Sequence, residues 1–172
     1  MPRTAQTDRL DCHLHGTPGA SNVTLNAEVR SKTRAGLMAT VLVVEDNDDV
    51  RDMMAVTLQL EGHEVITAVN GRDALETLRR GATPCVILLD LMMPVMNGWE
   101  FRAALDADPG LRDLPVVVIS AAGREVLESA HAAAYLPKPI DIDALLDVVC
   151  GICAGRRVES RLSSIVASRR ER

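Results

Sequence analysis

Aromatic side chains are almost absent from this chain of 172 residues, which has one Trp, one Tyr and one Phe. Hydrophobic residues nevertheless make up 47% of the chain, so its core must be aliphatic. No apolar run approaches the roughly 20 residues that span a bilayer, and no apolar segment follows the first charges as it would in a secretory signal. The length predicts a single domain with extensions, and the missing membrane span and signal predict a cytoplasmic protein without a membrane partner.

Cysteine is also scarce. The four residues (Cys12, Cys85, Cys150 and Cys153) are too few and too unevenly spread to indicate a disulfide framework, so we expect reduced thiols. Cys150 and Cys153 form a lone CxxC in the last predicted helix. No second pair completes a zinc site, which favours their interpretation as small buried hydrophobic residues.

Charge divides the chain into three parts. Residues 1–37 carry a net charge of +2 and mix Thr, Gly, Pro and Ser without period, which predicts a disordered extension. Residues 38–153 carry −11, and an acidic body does not suit binding to a phosphate backbone. Residues 154–172 carry +4 and hold six arginines, which predicts a solvated or helical tail. A tail that contacts nucleic acid is the weaker alternative.

Within residues 38–153, short aliphatic runs alternate with amphipathic segments five times. Strands are predicted at 41–44, 64–68, 86–89, 116–119 and 134–136. Helices are predicted from 48 to a stop at Gly62, and at 70–80, 99–107, 124–133 and 142–153. In the first helix the expected inward stripe is Val50, Met53, Met54, Val56 and Leu58. The alternation predicts an α/β fold with a doubly wound, flavodoxin-like sheet of five parallel strands and helices on both faces.

Polar residues follow four of these strands. Glu45 and Asp46 come after the first, Asp90 after the third, Ser120 after the fourth and Lys138 after the fifth. Ligands of doubly wound sheets bind beyond the carboxyl ends of the strands, so we expect these residues to converge. Three neighbouring carboxylates repel one another unless a cation compensates them, which points to Mg²⁺ and to Lys138. A carboxylate held beside such cations is placed to attack phosphorus.

Four motifs in this order resemble the receiver domain of two-component response regulators. They are the acidic pair in VLVVEDN, the segment LLDLMMPVMNG, the hydroxyl in VVVISAA and the lysine in YLPKP. The resemblance covers about Ala39 to Cys153. It implies that Asp90 accepts a phosphoryl group from a histidine kinase or phosphotransfer protein. The domain would catalyse its own phosphorylation, yet act mainly as a switch for a downstream protein.

The resemblance also implies roles for the neighbouring residues. Asp46 would bind Mg²⁺ directly, Glu45 through water, and Met92 through its backbone carbonyl. Ser120 and Tyr135 match the paired switch positions. Lys138 matches the family's lysine, and the Lys138-Pro139 bond is expected to be cis.

Two positions depart from the pattern of many family members. Met92, two residues after Asp90, and Ala122, two after Ser120, often carry an acid or amide that orients attacking water. Neither side chain here can do so. We therefore expect slow loss of the phosphoryl group.

Several alternatives stay open from the sequence. Few residues follow the domain, which favours a stand-alone regulator over the receiver fragment of a hybrid kinase. A homodimer through the fourth strand to the fifth helix is also open. A Mg²⁺-dependent phosphohydrolase is disfavoured because no second acid stands two residues after Asp90.

Overall fold

A computed structural model describes residues 38–121 and 132–155. Its strands are β1 (Thr40–Val44), β2 (Glu64–Ala68), β3 (Val86–Asp90), β4 (Val116–Ser120) and β5 (Ala134–Pro137). Its helices are α1 (Asp48–Leu60), α2 (Gly71–Arg79), α3 (Gly98–Ala107) and α4 (Ile142–Cys153). The strands form one parallel sheet in the order β2-β1-β3-β4-β5, which confirms the predicted doubly wound fold. Among the helices of these two stretches, none combines the length and the apolar content that a membrane span requires.

The central strands are apolar throughout because each contributes side chains to two cores. In β3, Val86 and Leu88 pack with α1 and α4, whereas Ile87 and Leu89 pack with α2 and α3. Successive side chains of a strand point to opposite faces, so a sheet covered on both sides needs an unbroken aliphatic run. The last residue of this buried strand is Asp90.

Each helix begins behind a side chain that accepts a hydrogen bond from its first turn. The capping residues are Asn47, Asn70, Asn97 and Asp141. The Asn97-Gly98 pair lies at the start of α3, where Asn97 and Glu100 form a reciprocal capping box. Two predicted helix ends are confirmed by glycines with positive φ, Gly62 (+88°) and Gly81 (+103°).

The predicted inward stripe of the first helix is partly wrong. Met54, Ala55 and Leu58 are the buried residues of α1, whereas Met53 and Val56 are 37% and 53% exposed. Residues four apart in a helix share a face, so burial of Met54 and Leu58 turns Met53 and Val56 away from the sheet.

The remaining differences lie at the edges of the described residues. The predicted helix at 124–133 falls mostly on 122–131, outside them, and residues 132 and 133 are not helical. The expectations for 1–37 and for 156–172 also lie outside the described residues.

The expectation of reduced thiols is wrong in the structure, where Cys85 is joined to Cys153 by a disulfide. Both residues pack against the core only in part, and Cys150 is a half-buried free thiol. The pair is 68 residues apart in sequence, with Cα atoms at 5.4 Å. The two cysteines approach each other because of the way α4 crosses the sheet, and local sequence spacing does not encode that crossing.

Candidate functional site

The carboxyl edge of the sheet brings together the predicted acids and lysine. Glu45 directly follows β1 and is 1% exposed, and Asp90 ends β3 and is 6% exposed. Asp46 is exposed beside them. One carboxylate oxygen from each of the three acids lies within 4.8 Å of the others. The convergence expected from the strand order is therefore present in the structure.

Lys138 is the cation of this cluster. Its Nζ donates to both carboxylate oxygens of Glu45, at 3.2 and 2.9 Å, and to Oδ2 of Asp90 at 2.9 Å. Lys138 directly follows β5, and its bond to Pro139 is cis, as predicted. One ammonium group thus bridges two buried carboxylates that would otherwise repel each other.

The ionisation of these groups reflects that arrangement. Burial raises the pKa of the Glu45 carboxyl; its bonds to Lys138 oppose this, and the charge of Asp90 adds to it. Burial alone would lower the pKa of Lys138, but its bonds to Asp90 and Glu45 outweigh burial, so this pKa is raised. Lys138 is therefore held as a cation beside Asp90. Three carboxylates against one ammonium leave a net negative charge, with oxygen atoms suited to a hard divalent cation.

Ser120 and Tyr135 lie on the neighbouring strands β4 and β5. Ser120 ends β4 and is 1% exposed. Its backbone carbonyl accepts a hydrogen bond from the Tyr135 hydroxyl at 2.8 Å and another from the Lys138 N–H at 3.0 Å. Burial raises the pKa of the Tyr135 phenol. The two predicted switch residues are thus linked through the main chain, next to the lysine of the acidic cluster.

The loop after Asp90 is held close to that residue by a glycine whose role the sequence did not reveal. The Gly98 N–H donates to the Leu91 carbonyl at 3.0 Å. A Cβ at position 98 would lie 2.7 Å from the Asp90 carbonyl oxygen. Within the loop, Val95 has a φ of +70°, which is strained for a β-branched residue. The Met92 N–H donates to Oδ1 of Asp90 at 3.3 Å, while the Met92 side chain is 70% exposed.

Arg51 is a second contributor that sequence reasoning missed. Its guanidinium donates to the Glu45 backbone carbonyl at 2.9 Å and pairs with Asp48. The Glu45 N–H in turn donates to the Ala68 carbonyl at the end of β2. Arg51 stands in an otherwise ordinary helical turn, so only the folded backbone reveals that it fixes the chain at Glu45.

Comparison with known proteins gives a consistent result. The family model for the response regulator receiver domain matches residues 41–150. Protein PilH of Pseudomonas aeruginosa is 31% identical over 122 residues, which cover 69% of this chain and 100% of PilH. Among solved structures, the chemotaxis protein CheY4 of Vibrio cholerae is similar with a TM-score of 0.62 and 33% identity, covering 67% of this chain and 99% of that one.

A third similarity concerns the fold alone. The receiver domain of sensor histidine kinase PA1611 from Pseudomonas aeruginosa has a TM-score of 0.63 and 22% identity, and covers 69% of this chain and 99% of that one. That structure has a magnesium ion coordinated in its active site cleft. The fold, the acidic cluster and the family match agree: the chain belongs to the response regulator receiver domain family and is a two-component receiver.

Proposed function

We propose that Asp90 is the phosphoacceptor of this receiver and takes its phosphoryl group from a histidine kinase or phosphotransfer protein. The observation that carries the proposal is the position of Lys138, whose Nζ bonds Asp90 and Glu45 at once. A carboxylate that attacks phosphorus needs nearby positive charge to stabilise the transferring oxygens. Lys138 supplies that charge at hydrogen-bonding distance from Asp90.

Mg²⁺ is the proposed cofactor, and the donor set fits it. Glu45, Asp46 and Asp90 offer only carboxylate oxygens, close enough together to share one ion. We assign Asp46 and Asp90 as direct ligands, Glu45 as a ligand through water, and the backbone carbonyl of Met92 as the remaining protein ligand. The bound ion would neutralise charge on the phosphoryl oxygens. Around it, Lys138 would orient Asp90 and hold Glu45 in place.

Phosphorylation would be read out through Ser120 and Tyr135. A phosphoryl group on Asp90 adds acceptor oxygens and negative charge at the end of β3, beside the strand that ends in Ser120. Attraction of the Ser120 hydroxyl toward it would disturb the carbonyl to which Tyr135 is bonded. The proposed consequence is a changed surface at β4 and β5 that binds a downstream protein in the cytoplasm. Residues 38–153 would form this domain, with 1–37 and 154–172 as extensions.

The phosphoryl group should be lost slowly. The Met92 side chain lies two residues after Asp90 and has no group that can orient water. Ala122, the other departure from the family pattern, lies outside the described residues. Met92→Asn supplies an amide at this position and should shorten the lifetime of the adduct. A lifetime of only seconds in the unmodified chain would contradict this expectation.

The test is the intact mass of the full chain after incubation with acetyl phosphate, with Mg²⁺ and with a chelator. We expect one added phosphoryl group that requires the metal and is absent from Asp90→Asn. Asp113→Asn is the matched control, because Asp113 is an exposed acid that precedes β4 at the opposite edge of the sheet. An adduct that persists in Asp90→Asn, or forms equally in the chelator, would overturn the assignment.

A further inference from the structure

We propose that Cys85 and Cys153 form a reversible thiol–disulfide site, reduced by a low-molecular-weight thiol, that fastens the end of α4 to the base of the phosphoacceptor strand. Cys85 stands immediately before β3, whose other end is Asp90. Cys153 is the last residue of α4. The site therefore lies at the amino edge of the sheet, across the length of β3 from the acidic cluster.

The surroundings of the pair favour exchange with a small thiol. Both cysteines are only half-buried, at the margin of the core that α1 and α4 share. Beyond Cys153 the helix ends at Ala154 and Gly155, where Gly155 has a φ of +68°. A sulfur in the final turn of a helix is more accessible than one in its centre, because helix ends open most readily. Accessible disulfides are the labile and regulatory ones.

The chemistry needs no group beyond the small thiol itself. A thiolate of the reductant attacks one sulfur of the pair, and the S–S bond breaks to release the other as a thiolate that takes a proton. A second reductant thiolate then releases the first sulfur. Two electrons have passed to the protein, which holds two thiols, and the reductant leaves as its own disulfide. In a compartment that keeps thiols reduced, such a pair responds to oxidising conditions.

The covalent ring closed by this disulfide contains most of the candidate site. Its ends are 68 residues apart, and Asp90, Ser120 and Lys138 all lie between them. Opening the ring leaves the native contacts in place, since Leu145, Val148 and Val149 of α4 stay buried against the sheet. Reduction should therefore loosen the last turn of α4 without unfolding the domain.

Thiol counting on the full chain tests the pairing. After oxidation in air without any added thiol or disulfide, the protein is denatured and alkylated without reductant, then with it. We expect two modified cysteines (Cys12 and Cys150) before reduction and four after it. Cys150→Ser, one helical turn from Cys153, is the matched control. It should give one modified cysteine before reduction and three after it. Four modified cysteines before reduction, or modification of Cys153 in place of Cys150, would overturn the proposal.

A second measurement tests the consequence for the fold. Closing a loop of this length stabilises a protein chiefly by restricting its unfolded chain, so reduction should lower the melting temperature by roughly 10 °C. Cys150→Ser should show the same loss, and Cys85→Ser none, because it has no disulfide to lose. Hydrogen exchange should rise in the last turn of α4 on reduction. Melting and exchange that are identical in the two redox states would refute the fastening role.

Discussion

Replacing Lys138 by methionine removes the cation of the acidic cluster with little change in side-chain length. In the structure, the Nζ atom of Lys138 makes three hydrogen bonds, two to Glu45 and one to Asp90. The Glu45 and Asp90 side chains are 1% and 7% exposed, so solvent cannot replace those bonds without rearrangement. The substitution leaves two buried carboxylates facing each other without compensation.

The size of the effect follows from that burial. Removing one partner of a buried ion pair costs about 3–5 kcal/mol, mainly because the remaining charge is uncompensated. Lys138 itself is 26% exposed, which favours the lower end, about 3 kcal/mol in the free energy of unfolding. For a domain of this size the corresponding loss in melting temperature is roughly 10 °C. The matched control is Arg80→Met, because Arg80 pairs with Glu76 on the surface and its loss should cost less than about 1 kcal/mol.

Urea unfolding at neutral pH in a chelator measures the loss directly. The pKa of Glu45 is already raised by burial, and loss of Lys138 raises it further. A carboxyl whose pKa is raised in the folded state favours folding when protonated, so the variant should recover stability as the pH falls through that pKa. Mg²⁺ should also restore part of the loss by binding the same carboxylates. A loss no larger than that of Arg80→Met would refute this account of the cluster.

Three further predictions concern the residues around it. Gly98→Ala should destabilise the domain by about 1–3 kcal/mol in urea unfolding and slow its phosphorylation, because the added Cβ would lie 2.7 Å from the Asp90 carbonyl oxygen. Gly110→Ala is the control: its Cβ would have no neighbouring atom closer than 3.4 Å, so stability and phosphorylation should change little. Val95→Gly should raise the free energy of unfolding by about 1 kcal/mol, because it relieves a φ of +70° at an exposed position, and a loss of stability would contradict this. Tyr135 is the only tyrosine, so tyrosinate absorbance reports it alone. Its titration midpoint should lie above pH 10.0 in the folded protein and fall in denaturant, because burial raises the pKa of its phenol. The stability that this raised pKa contributes is present below pH 10.0 and should be lost as the pH rises through the pKa of the folded state. A midpoint that denaturant leaves unchanged would contradict the burial of its phenol.

The fold was predictable because its signals are local. Unbroken aliphatic runs indicate strands covered on both faces, and capping asparagines and terminal glycines mark the helices between them. The candidate site followed from one topological rule, that the carboxyl ends of parallel strands share an edge. Glu45, Asp90 and Lys138 could therefore be grouped before any distance was known.

The features that escaped prediction depend on tertiary geometry. The orientation of α1, which buries Met54 and exposes Met53, is set by packing on the sheet. The periodic pattern alone assigned both residues to the buried face. The Cys85–Cys153 disulfide joins two elements whose approach no spacing rule encodes. The role of Gly98 was not predictable, because its close approach to the Asp90 carbonyl arises only when the loop folds back.

Locating the phosphoryl group within the chain decides whether Asp90 is the phosphoacceptor. Borohydride reduces an aspartyl phosphate to homoserine, and peptide masses then identify the converted residue. After treatment with acetyl phosphate and Mg²⁺, we predict homoserine at position 90 and at no other acid. Conversion at Asp46 or another carboxylate, or a phosphoryl group found on a histidine, would show that Asp90 is not the phosphoacceptor.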